Sequence, residues 1–305
     1  MSDKNKEKPL LPKINVEKVI PKNPNDFKCS PSLEFENGSC FPLELLIDMA
    51  EAFNKYNEEK EKKDKIILNT KAETLDPDNY KIFLLHEFKQ RYNGDQRDLV
   101  KEKFTKFMDE KSKEYLENNV FRPEGPQGKF DWLSTLDINN VLAQYEEKYP
   151  DFSFLGAVPI DFNDLDYLPF KKLNFKEILD SKITKLGVIF NLDEHYKSGS
   201  HWVSLFINLE LGQIYFSDSY AGPPEKRIRD FMNKVSDFIE AQGKNSDVRY
   251  NKTRHQRGGS ECGVYSINFI LRLLKGKSFD HITRKRLSDG EVNKCRRKYF
   301  GNDIK

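Results

Sequence analysis

The segment Cys262–Lys275 (Cys-Gly-Val-Tyr-Ser-Ile-Asn-Phe-Ile-Leu-Arg-Leu-Leu-Lys) is apolar nearly all round and reads as a helix. A helix without a solvent face has to be enclosed by other elements, so this one marks the interior of a layered domain. The residues before it, His-Gln-Arg-Gly-Gly-Ser-Glu from position 255, form a glycine-bearing loop that delivers Cys262 to the first helical turn. There a thiol feels the positive end of the backbone dipole, which favours thiolate, the reactive form. The Gly258-Gly259 pair is expected to let the backbone turn tightly and approach a substrate closely.

The surrounding pattern supplies the layers. Thr184–Leu192, Trp202–Leu209 and Gln213–Ser217 are β-type runs, and Val248–Asn251 reads as a short strand. Trp132–Tyr145 reads as a helix, and Glu225–Ala241 as an amphipathic one through Ile228, Phe231, Met232, Val235, Phe238 and Ile239. Residues 126–305 are therefore expected to form an α+β domain, a central mixed sheet flanked by helices with the cysteine carried on a buried helix. A turn-rich break, Phe121–Gly128, with two prolines and two glycines, precedes it.

Residues 32–125 read as a mainly helical accessory region. A helix follows Phe41 through Leu43, Leu46, Ile47, Ala50 and Phe53, and another is expected over Asp98–Asn118 through Val100, Phe104, Phe107, Met108, Tyr115 and Leu116. Between them, the charge-dense Asn57–Lys65 reads as a solvated helix end or exposed loop. Residues 1–31, rich in Lys, Pro and Asn, read as a flexible arm.

The 305 residues are 37% hydrophobic and 33% charged, with 51 basic against 49 acidic side chains. That near balance creates no whole-protein field for a membrane or nucleic acid. Nucleic acid stays open as a partner through local basic clusters (Lys252, Arg254 and Arg257; Lys294 to Lys298), but the net charge does not indicate it. No apolar run approaches the ~20 residues of a membrane span, and no apolar segment near the start reads as a secretory signal. Four cysteines do not make a disulfide framework in a chain this size, which fits a reducing compartment. Cys29 and Cys40 have no partnering Cys or His nearby, the His255–Cys262 spacing fits no zinc pattern, and His86, His195 and His281 look isolated. No metal or organic cofactor is expected.

A thiol nucleophile needs a base, and the base an orienter. His201 opens one strand, where its ring can project past the sheet end. Asp218 follows the next strand, and antiparallel pairing of the two would bring it beside His201. Gln256, six positions before Cys262, can present its amide N–H and, with the backbone N–H of Cys262, hold a tetrahedral oxyanion. Taken singly, each has a duller reading: a core cysteine, a packed histidine, an Asp-Ser turn signal before Gly222-Pro223-Pro224. Their combination in this order, each on a suitable element, points to a thiol hydrolase.

Gly199-Ser200-His201-Trp202-Val203, Tyr215-Phe216-Ser217-Asp218-Ser219, and Gln256 with Ser260-Glu261-Cys262-Gly263-Val264-Tyr265 carry a family resemblance. Residues 130–300 resemble the ubiquitin-like-protein-processing cysteine proteases, the SUMO-specific proteases and adenain among them. More narrowly, they are similar to the virion maturation proteases of large cytoplasmic DNA viruses, the group of the African swine fever virus polyprotein protease. The resemblance implies His201 as base, Asp218 as orienter, Gln256 as oxyanion donor and Cys262 as nucleophile. Trp132-Leu133 looks like the family's early tryptophan-leucine, which implies that Trp132 and Trp202 wall a narrow channel admitting only Gly-Gly ahead of the scissile bond, with Gly258 and Gly259 also at the substrate. The implied partner is a polypeptide with a Gly-Gly-Xaa site in a viral polyprotein, met in the virus factory of the host cytoplasm and in the virion. A SUMO- or ubiquitin-like modifier is the alternative substrate; a non-catalytic binding module, or an acyltransferase on a related fold, is the alternative in another class.

Overall fold

The computed structural model describes residues 29–68, 76–128 and 130–302. Two compact units, Met1–Phe121 and Arg122–Lys305, divide the chain, and the division falls at the start of the Phe121–Gly128 break. The arm expected over 1–31 lies outside the described residues except for 29–31.

In the first unit, α1 (Leu43–Glu59) and α2 (Pro77–Arg91) bury Leu46, Met49, Ala50 and Phe53 against Leu84, Phe88 and Phe104. Phe53 meets Phe88 and Phe104 edge-on, the arrangement that ring quadrupoles favour. The single helix expected over Asp98–Asn118 is instead two short 3-10 turns, Gln96–Lys101 and Lys103–Phe107, followed by α3 (Glu110–Asn118). Local polar chemistry breaks it. Asp95 caps the first turn, the backbone goes extended at Glu102 and Met108, and Asp109 accepts from Ser112 N at 3.0 Å to start α3 afresh. The charged Asn57–Lys65 stretch is largely exposed, but Asn57 is buried and donates to Asp64 O at 2.7 Å, while Arg91 holds the Asp64 carboxylate.

Cys29 and Cys40, whose redox state the sequence leaves open, form a disulfide. A turn through Asn37 and Gly38, both at positive φ, folds the chain back and brings Cys40 to Cys29. Cys262 and Cys295 are thiols. Among the described residues no helix is long and apolar enough to cross a membrane.

The second unit is built on a five-stranded sheet in the order β1 to β5: β1 (Phe152–Pro159), β2 (Lys185–Asn191), β3 (Trp202–Asn208), β4 (Gln213–Ser217) and β5 (Asp247–Tyr250). The central pairs are antiparallel and the two outer pairs parallel. β1 was not anticipated. Its alternation is broken by a register shift between Phe154 and Ala157, around Gly156 at φ +111°.

Side chains of the central strands alternate between two cores. Val188, Phe190, Leu205, Ile207, Ile214 and Phe216 face α6 (Lys226–Ala241), whereas Ile189, Phe206 and Tyr215 face α7 (Cys262–Leu274). Gly187 lies on the α7 side, where an added Cβ would come 3.0 Å from Phe152 and 3.4 Å from Ile270, so its smallness lets the buried helix approach. α4 (Thr135–Lys148) starts three residues later than its apolar pattern indicates because Ser134 and Asp137 form a capping box. Short helices α5 (Phe175–Asp180), α8 (Phe279–Thr283), α9 (Asp289–Asn293) and α10 (Arg296–Tyr299) complete the unit.

Candidate active site

His201 immediately precedes β3 and Asp218 immediately follows β4. Because these strands are antiparallel, with Ser204 opposite Ser217, the two residues meet at one end of the sheet. His201 Nε2 and Asp218 Oδ1 are 2.6 Å apart. The imidazole is also hydrogen-bonded to the Cys262 side chain at the first turn of α7. Burial alone would lower the His201 pKa, but the bonds to Asp218 and Cys262, and the adjacent Asp218 charge, lift it to about 9. At neutral pH the ring is therefore imidazolium, beside a thiol that is only 1% exposed.

The carboxylate is held as firmly as the ring. Asp218 Oδ1 accepts from Tyr220 N at 2.8 Å and Oδ2 from Gly222 N at 3.0 Å. A Cβ at Gly222 would come 2.6 Å from Oδ2, so a side chain there would displace the carboxylate that orients His201. Buried Asn251, at the end of β5, accepts from Asp218 N at 2.9 Å and donates to Asp218 O at 2.7 Å, clamping the backbone from both sides. Tyr220 stacks on His201 with ring centres 4.7 Å apart and donates from its hydroxyl to Gly258 O at 2.7 Å.

Gln256 is fully buried, and the backbone N–H groups of His255 and Gln256 both donate to Ser219 O. Its Nε2 donates to Gly258 O at 3.0 Å and lies 3.5 Å from Glu261 Oε2. Gly258 and Gly259 do not adopt the left-handed backbone that a tight glycine turn implies. A Cβ at Gly258 would instead come 2.7 Å from Glu261 Oε2, whereas one at Gly259 meets nothing within 4 Å. At 258 a side chain would therefore meet the Glu261 carboxylate, and no left-handed chain reversal is involved.

The two tryptophans differ. Trp202 is 5% exposed and donates from Nε1 to Leu133 O at 2.9 Å, fastening the 132–133 segment to β3. Trp132 is 47% exposed. Leu133 packs against the start of α7 so closely that a Cβ at Gly263 would sit 3.0 Å from the leucine Cβ. His195, which looked isolated, is paired with Asp161 through Nδ1 at 2.5 Å. The tie from Ser219 to Gln256, the Asn251 clamp and the Tyr220 stack were missed by sequence reasoning. The Asp-Ser-Tyr-Ala-Gly turn after β4 was a usable signal for the Ser219 and Tyr220 contacts, and nothing local marked Asn251.

A buried thiol at a helix start, an imidazolium and an oriented carboxylate define a cysteine hydrolase. Residues 175–304 match the Ulp1 protease family, C-terminal catalytic domain. Over 281 residues the chain is 36% identical to a protein of Acanthamoeba polyphaga mimivirus provisionally named a thiol protease, covering 90% of this chain and 93% of that one. It is 25% identical over 195 residues to the SUMO-1 cysteine protease of African swine fever virus, covering 59% of this chain and 71% of the relative. The crystal structure of the African swine fever virus protease shares the fold, with a TM-score of 0.61 and 18% identity, covering 93% of this chain and 98% of that one. The chain belongs to the Ulp1 protease family and is a cysteine protease.

Proposed function

We infer that this protease is an endopeptidase that cleaves after Gly-Gly in viral structural polyproteins during virion maturation, in the host-cell virus factory and the virion. Cys262 Sγ attacks the carbonyl carbon of the second glycine, whose bond to the Xaa nitrogen is the one that breaks. The His201 imidazolium donates its proton to the departing amine, which leaves an acyl-enzyme thioester. Neutral His201 then takes a proton from water, and the resulting hydroxide attacks the thioester to release the acid and restore the thiolate–imidazolium pair. Asp218 orients the ring and stabilises its charge throughout. The backbone N–H of Cys262 and the Gln256 amide hold the oxyanion; of the two Nε2 contacts, the longer one, to Glu261 Oε2 at 3.5 Å, is the one that would be exchanged for it.

The observation that carries the glycine reading is the Trp202–Leu133 bond together with the Leu133–Gly263 contact. They set the Trp132 segment beside the start of the nucleophile's helix, a placement that supports steric rejection of a substrate Cβ. The viral source of both relatives is what supports a viral protein as the substrate. The African swine fever virus relative's name favours a SUMO-type modifier as a second reading. Incubation with a peptide library and with a SUMO fusion tests both. Cleavage of Gly-Gly-Xaa peptides without release of SUMO supports the first reading, and preferential processing of the folded fusion overturns it.

A further inference from the structure

Arg296, at the start of α10, is one of the largest fully buried side chains in the protein, with 1% of its surface exposed. In sequence it belongs to a run of lysines and arginines that would ordinarily be solvated. Its Nη2 donates to Asp131 O at 2.7 Å and approaches Ser260 O at 3.4 Å. Its Nε donates to Asn293 Oδ1 at 2.9 Å, and Asn293 Nδ2 donates in turn to Glu261 Oε1 at 3.2 Å. The third nitrogen, Nη1, is buried without a hydrogen-bond partner. Burying a guanidinium and leaving one nitrogen unsatisfied is costly, and packing alone gives no reason for it.

Both ends of this brace lie at the reaction centre. Asp131 immediately precedes Trp132-Leu133, and Ser260 and Glu261 immediately precede Cys262. We propose that Arg296 is a positioning residue that sets the width of the glycine-selective slit, holding the Asp131–Leu133 wall and the Ser260–Cys262 loop at a fixed separation through one planar guanidinium. Lysine cannot substitute for it, because a single ammonium does not reproduce the fork that spans two carbonyls and the Asn293 amide. The positive charge is also close enough to Glu261, Asp131 and Cys262 to interact with them, which places it among the groups of both segments.

The inference rests on the Gly-Gly reading, and the test separates the two. For the full-length enzyme and its R296K, R296M and N293A variants, kcat/KM is measured on paired peptides with Gly-Gly or Ala-Gly before the scissile bond, alongside Cys262 alkylation and thermal melting. The expected result is a fall of at least tenfold in the Gly-Gly preference of R296K and R296M, with Cys262 still alkylated in folded protein, and a smaller fall for N293A. Should R296M not fold, R296K and N293A carry the comparison. A glycine-selective wild type whose preference survives in every folded variant overturns the brace alone. A wild type without glycine preference overturns both readings.

Discussion

Ser219 Oγ lies 2.6 Å from Gln256 Oε1, inside the protein. Asp218 and Ser219, adjacent at the end of β4, thus divide the work: one carboxylate orients the imidazole and one hydroxyl orients the amide. With its oxygen occupied by Ser219, the Gln256 amide has its nitrogen directed into the loop before Cys262. Ser219→Ala is expected to lower kcat by about tenfold, the worth of one buried hydrogen bond, with KM little changed. Gln256→Ala is expected to lower kcat by roughly 10²–10³, as for loss of an oxyanion donor. Steady-state kinetics on one Gly-Gly-Xaa peptide checks both.

The alkaline limit of activity should belong to His201. Its pKa is raised to about 9 in the folded protein from an ordinary value near 6.5. Its contribution to stability is therefore fully present below about 6.5 and is lost as pH rises through about 9. The proton needed by the leaving amine disappears over the same range, so kcat/KM is expected to fall above pH ~9. In Asp218→Asn, burial is left opposed by one fewer partner, and the limb should move to lower pH. A pH–rate profile of both proteins gives the answer.

Trp202→Phe keeps most of the packing and removes the donor to Leu133 O. It is expected to cost about 1 kcal/mol of stability and to weaken the preference for glycine. Trp202→Ala is expected to cost roughly 3–5 kcal/mol. Chemical denaturation and a peptide library measure the two effects.

Reduction of the Cys29–Cys40 bridge, which spans 11 positions, should destabilise the first unit by about 2–3 kcal/mol. Non-reducing intact-mass analysis with thiol alkylation should show two alkylated cysteines before reduction and four after it.

How much was legible in advance follows from which residues act locally. β2, β3 and β4 were readable because β-type apolar runs bounded by turn residues report their own conformation. His201 and Asp218 could be placed because each flanks such a run, and Cys262 because it opens the apolar segment that forms α7. The first unit resisted. In α2, Tyr80, Ile82, Phe83, Leu84, Leu85 and Phe88 are all buried, so no single apolar stripe appears, although Asp76-Pro77 was a sound start signal. The Asp98–Asn118 pattern looked continuous, yet the capping carboxylates Asp95 and Asp109 outweighed it. Arg296 looked like part of a surface charge run because burial is a tertiary property that no local window contains.

The most direct measurement is mass spectrometry of the enzyme after reaction with a Gly-Gly aldehyde or vinyl-sulfone probe, followed by trypsin digestion. The probe should appear on the peptide Gly258–Arg272, at Cys262, in wild-type protein, and should be lost or greatly slowed in His201→Ala while Cys295 stays unmodified. Modification at Cys295, or labelling of Cys262 that proceeds equally well without His201, would contradict a thiolate–imidazolium pair at the heart of this protease.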